Sequence, residues 1–153
     1  MSTSKIKEIR DFIAKYPNIN RFPNEHINWT DAEAGNYGII PTSDNVIRRE
    51  EDIEGNVILH KQYNVSLYAM DFTINDVIRL ETSGWLEAFT EWIEEQSASG
   101  RAPALGDNPD EEYMTAQNGM LFQLSENGRT GRYQIQIQCF YEKHYKGEKS
   151  IWQ

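Results

Sequence analysis

Residues 132–142 read RYQIQIQCFYE. Tyr133, Ile135, Ile137, Cys139 and Tyr141 alternate with Gln134, Gln136, Gln138 and Phe140. A period of two, carried by β-branched and aromatic residues, predicts a strand with one face in a core. The other face is an uncharged amide ladder. Solvated strand faces usually carry charge, which also keeps strands from pairing with foreign edges. Three glutamines in register therefore point to a face that meets another protein surface, or to a polar central strand.

The rest of the chain arranges itself around this strand. Ile6, Ile9, Phe12, Ile13 and Tyr16 share one helical face behind Ser4, a good N-cap. Pro17 is expected to end that helix. Residues 26–29 and 37–40 read as short strands, and residues 46–53 alternate weakly among charges. Gly55-Asn56 is a turn signal. Val57–Phe72 is a long extended run with Val57, Leu59, Tyr63, Val65, Leu67 and Ala69 on one parity. Sixteen residues span roughly 50 Å, so the run either bends at a bulge or projects as an arm at its Gly55 end. Thr73 and Asp76 predict a capped short helix over 74–81, interrupted by Thr82-Ser83-Gly84. Trp85, Leu86, Phe89, Trp92 and Ile93 then recur at helical spacing opposite Glu87, Glu91, Glu94 and Glu95. Residues 97–110 carry two glycines and two prolines and read as a loop. Strands over 112–124 and 132–145 follow, joined at 126–129. Residues 146–153 form a polar tail, expected to be flexible, with Trp152 as its candidate partner contact.

These elements predict one domain over residues 1–153. Its class is α+β, a two-layer sandwich. A mostly antiparallel sheet of about four to six strands is packed by two main helices and carries a long β-hairpin.

Composition narrows the function. The formal charge is −9 and the pI about 4.8. A surface of that sign does not condense on phosphate backbones, although it could line a channel through which DNA slides. A single cysteine excludes an internal disulfide and gives no metal framework. The first residues lack a signal-peptide apolar core, and no apolar run approaches spanning length, so a protein of the cell interior without a membrane is expected. His26, His60 and His144 fall in no metal-ligand spacing, so no metal site is expected. Cys139, on the apolar parity, reads as a packing residue. Hydrolase and nucleotide-binding motifs are missing, so no cofactor is expected. The acidic run at 107–112 lacks the spacing of a calcium loop, and carboxylate pairs elsewhere read as solvated faces. Arg48-Arg49 beside Glu50-Glu51 can pair locally or across a subunit contact.

Three segments carry a resemblance. They are residues 4–13 (SKIKEIRDFI), residues 83–96 (SGWLEAFTEWIEEQ) with Gly100, Pro103, Leu105 and Gly106, and residues 131–139 (GRYQIQIQC). In these phrases and in the order of its elements the chain resembles the tail terminator, tail completion or "minor capsid" proteins of long-tailed bacteriophages and Gram-positive prophages. The resemblance implies a structural virion protein and not an enzyme. Such a subunit closes into a homohexameric ring, caps the tail tube, stops its polymerisation and offers a surface to the head. Implied partners are other copies of the chain, the tail tube protein and a head-completion or connector protein. DNA would pass through the lumen without specific binding. The implied location is the head–tail junction of the virion, with assembly in the host cytoplasm. Arg48, Arg49, Glu50, Glu51, Gln134, Gln136, Gln138 and Trp152 are the candidate interface residues. Competing readings are a head–tail joining protein of the connector, a small α+β interaction module outside phages, and an enzyme using a carboxylate pair in a deep pocket.

Overall fold

A computed structural model describes residues 4–27, 30 and 33–147. Within them two helices lie on one face of a five-stranded sheet, the two-layer α+β arrangement expected. Helix α1 (Lys5–Ile13) opens where Ser4 Oγ accepts the Lys7 amide N–H at 3.3 Å. It ends at Ile13, four residues before Pro17, and a 3-10 turn over Ile19–Arg21 follows. The strands are β1 (Asn24–Ile27), β2 (Asn36–Glu51), β3 (Val57–Phe72), β4 (Tyr113–Leu124) and β5 (Thr130–Tyr145), in spatial order β1-β2-β3-β5-β4. β1 runs parallel to β2, and every other neighbour is antiparallel.

Two expectations need correction. The weak strands at 37–40 and 46–53 are one strand, β2. Pro41 does not divide it, because it sits beside a register shift and beyond Ile39, the last residue paired to β1. A residue without an N–H is tolerated at such an edge. The second correction concerns residues 74–98. Helix α2 (Asp76–Ala98) is continuous through Thr82-Ser83-Gly84. Its N-cap is Asn75, whose Oδ1 accepts the Ile78 N–H at 2.9 Å, and not Thr73. Thr73 instead donates its hydroxyl to the Gly128 carbonyl in the β4–β5 turn. Thr82 stays helical because its hydroxyl finds tertiary partners, which satisfy a group that otherwise competes with the helix.

The core lies between the helices and one parity of the sheet. Leu67 faces Ile135, Val65 faces Ile137 and Ala69 faces Tyr133 across β3 and β5, and all six are buried. Each large aliphatic side chain so buried contributes about 1.5–3 kcal/mol. Cys139 belongs to this layer, and burial pushes its thiol up to about 12. The helices meet through an aromatic cluster. Trp85 and Phe89 stack at 5.3 Å, Phe12 stacks on Trp92 at 4.7 Å, and Tyr16 meets Trp85 and Phe89 edge-on. The tryptophans of the helix thus face the core as expected.

Candidate assembly surface

Among the described residues nothing covers the other parity of the sheet. Both helices pack on the inner side, so Gln62, Asn64 and Tyr68 of β3 and Gln134, Gln136 and Gln138 of β5 form an open face, with the small Ser66 buried among them. Thr115 and Gln117 of β4 extend it, opposite Gln138 and Gln136. Its centre carries amides and hydroxyls bonded to one another, along β3 and across strands. Asn64 Nδ2 donates to Ser43 Oγ at 2.7 Å, Gln62 Nε2 to Asn64 Oδ1 at 2.8 Å, and Thr115 Oγ1 to Gln138 Oε1 at 2.8 Å. A shallow open groove runs along these residues. Side chains fixed by cross-strand bonds and free of net charge cost little desolvation when another polar protein surface covers them.

At one end the sheet runs on as an arm. β4 begins opposite Phe140, so residues 141–145 of β5, paired with 57–61 of β3, continue with β2 alone on their far side. The pairing of β3 with β5 holds without a break over all sixteen residues of each strand, so β3 projects without a bulge and the irregularities fall in β2. The loop before β4 folds back along the β5 edge here. Asp107 donates its amide to the Glu142 carbonyl and accepts the His144 N–H, both at 2.8 Å. Glu112 organises that loop, accepting the N–H groups of Leu105, Gly106 and Asn108 at 2.8–3.0 Å. The acidic run at 107–112 therefore binds its own backbone.

The candidate residues at 48–51 lie on this arm. Their ion pairs are local: Arg48 Nη1 is 2.9 Å from Glu50 Oε1, and Arg49 Nη2 is 2.8 Å from Glu51 Oε1. The strand alternation separates the two pairs, because Arg48 and Glu50 lie opposite His60 and Ile58 while Arg49 and Glu51 lie opposite Leu59 and Val57. Gln134, Gln136 and Gln138 sit together in the open face, remote along the strands from the arm's end. Trp152 lies outside the described residues, as do Trp29 and the tail from 148 onward. Of the tail expected over 146–153, Gly147 is held in place, its N–H donated to Asn56 Oδ1 at 2.9 Å beside the hairpin turn.

Sequence spacing hid one cluster. Residues 60 and 142 are cross-strand neighbours, so His60 and His144 flank Glu142. His144 Nε2 is 2.9 Å from Glu142 Oε1, and His60 Nε2 is 2.9 Å from Glu50 Oε2. These hydrogen bonds are the first cause that holds Glu142 and Glu50 below the ordinary carboxylate range. Among the described residues, no three His, Cys, Asp or Glu side chains are grouped to hold a metal ion. No described helix is long and apolar enough to cross a membrane.

The third feature lies at the opposite end of the open face. There Phe72, Met120 and Phe122 are about half exposed, and Phe122 leans on Tyr68 with ring centres 5.7 Å apart. The register shift between Gln117 and Met120 reverses the parity of β4 and brings Met120 and Phe122 to this side, and the shift between Leu121 and Gln123 sets Gln123 opposite Arg132. Simple alternation along β4 would not have placed both there. No protein-family model matches the chain, and no curated protein matches it.

Proposed function

We propose that this protein is a ring-forming structural subunit of a phage virion, a tail terminator that caps the tail tube and presents the head-attachment surface. The observation that carries the proposal is the open sheet face: a cross-strand network of amides and hydroxyls, uncharged at its centre and left uncovered by both helices. Such a face is suited to burial against another copy or against the tube. The arm adds a second and different surface, and ring closure needs two unlike patches per subunit. The resemblance of residues 83–96 and 131–139 to tail terminator and tail completion proteins supplies the rest of the reading. The chain's net charge of −9 suits a lumen that repels phosphate and lets DNA pass.

Negative-stain microscopy at high protein concentration, with and without purified tail tubes, tests this. Rings of one diameter seated on tube ends are expected. Monomer that ignores tubes but binds isolated head connectors would move the role to head–tail joining. Monomer that ignores both would overturn the proposal. A Gln136→Lys variant that folds should lose ring formation; unchanged rings would show that the glutamine face is merely solvated.

A further inference from the structure

The turn between β2 and β3 is built to hold one apolar side chain in water. Asp52 Oδ1 accepts the N–H groups of Glu54 and Asn56 at 2.9 Å each, and Asp52 Oδ2 accepts Asn56 Nδ2 at 2.9 Å. Asp52 also exchanges backbone bonds with Asn56 and Gly55. Gly55 takes φ +85°, a conformation glycine adopts without strain. Gly147 fastens the turn from the end of β5. On this rigid tip Ile53 is wholly exposed. Its neighbours are acidic: Glu51, Asp52 and Glu54, of which Glu51 is matched by Arg49. An ordered turn that spends its hydrogen bonds presenting an isoleucine between carboxylates has the form of an interface anchor, with its ordering cost met before binding.

The apolar area at the far end of the open face has the opposite chemistry. Its charged member is Arg132, whose guanidinium lies over the Tyr68 ring at 5.6 Å and whose Nε is buried with no hydrogen-bond partner among the described residues. Beside it is a hollow lined by Met70, Gln123, Leu124, Ser125, Thr130 and Arg132, with no carboxylate in its wall. Exposed Met and aromatic side chains around a single arginine match the composition of interface centres. An acidic, apolar knob complements this area in charge and in apolar character.

We propose that Ile53 and its flanking carboxylates, at the hairpin tip of one copy, dock onto the apolar area around Met120 and Phe122 and the adjoining hollow at Leu124 and Arg132 of the next. The two surfaces lie at opposite ends of β3 and β5, sixteen residues long, roughly 50 Å apart. A tip therefore cannot reach its own hollow, and the contact is head-to-tail between copies. Six such steps of roughly 50 Å give a circumference of roughly 300 Å, or a ring roughly 100 Å across. The closure of the contact into a ring rests on the proposed function; the contact itself does not.

Cysteine pairing tests it. Ile53→Cys and Met120→Cys proteins are mixed under mild oxidation, with Leu80→Cys, more exposed on α2 than Met120 is on β4, in place of Met120→Cys as the control. The native Cys139 is buried and silent. A disulfide dimer is expected from the Ile53/Met120 mixture, at least tenfold above the Ile53/Leu80 control. A chain carrying both substitutions should give a ladder that ends in a closed species without free thiols. A ladder that lengthens without closing upholds the contact and sinks the ring reading. Rings on tail tubes with no cross-link above control overturn the contact and leave the ring reading standing. Protein that stays monomeric with and without tubes overturns both.

Discussion

Arg21 and Asp71 form an ion pair at 2.9 Å between the 3-10 turn after α1 and the end of β3. The pair is bound to α2 through Thr82, whose hydroxyl accepts Arg21 Nη2 at 3.0 Å and donates to Asp71 Oδ2 at 2.8 Å. Thr82 is fully buried and Asp71 nearly so. Three elements distant in sequence thus share one polar knot at the helix–sheet boundary. Replacing Asp71 with Ala strands a partly buried guanidinium and a buried hydroxyl. The expected loss is about 2–3 kcal/mol. Thr82→Val keeps the shape and removes the hydroxyl, for about 1–2 kcal/mol. Urea unfolding of both single variants and the double checks this. The double should cost less than the sum, because the groups are coupled.

Gly84 sits inside α2 with nothing within 4 Å of where a Cβ would stand. Alanine there gains helix propensity without a clash. Gly84→Ala is expected to stabilise the fold by about 0.5–1 kcal/mol, raising Tm by about 1–4 °C. Calorimetry showing no gain would mean that the helix bends at this point in solution.

Gly106 behaves in the opposite way. A Cβ on it would stand 2.1 Å from the Glu142 carbonyl oxygen and 2.9 Å from the Tyr141 ring. The Glu142 backbone cannot yield without breaking the loop from β5. Gly106→Ala should cost about 1–3 kcal/mol, and Glu112→Ala, which frees the same loop's N–H groups, about 1–3 kcal/mol. Hydrogen exchange should quicken at Leu105, Gly106 and Asn108 in both variants while the β3–β5 ladder stays protected.

Alkaline pH should destabilise the protein. Burial raises the Cys139 thiol from 9.0 to about 12. Burial, followed by the hydrogen bond to a carboxylate, raises Tyr37 beside Glu25 and Tyr141 beside Asp44 above their ordinary 10.0. The folded state therefore holds these protons after the unfolded chain has released them. Their stabilisation is complete below pH 9 and is lost as pH rises through the folded-state values. Denaturation midpoints should fall steadily from pH 9 to 12. Tyr141→Phe should flatten part of that slope; an unchanged slope would remove Tyr141 from the account.

Much of this architecture was legible in residues 57–72 and 130–145. Strict alternation of apolar residues in strands buried on one face leaves little freedom of register. The aromatic face of residues 85–93 was equally plain. What local pattern misjudged was decided by tertiary partners. Thr82 and Gly84 signal a break, yet the Arg21–Asp71 pair waits for the Thr82 hydroxyl. Pro41 signals a strand end, yet it falls where, among the described residues, no further strand pairs outside β2. The glutamine face could be read because its parity was complete. The apolar area around Met120 and Phe122 could not, because it depends on register shifts in β4 that leave no mark in the sequence. Ile53 looked like one apolar residue in an acidic run until the turn around it was seen.

The order β3-β5-β4 has a temporal meaning. β5 is the last described strand to be synthesised, yet it is the one that joins β4 to the rest of the sheet. Until it emerges from the ribosome, β3 presents an unpaired edge and β4 has no strand to bind. The β2–β3 hairpin and α2 must wait in a half-made sheet, the state in which exposed edges find the wrong partners. Shortening the chain into residues 130–145 would therefore remove its keystone and leave both halves without a seam. Chaperone dependence during synthesis, and sharp intolerance of late stop codons, would follow from that strand order alone.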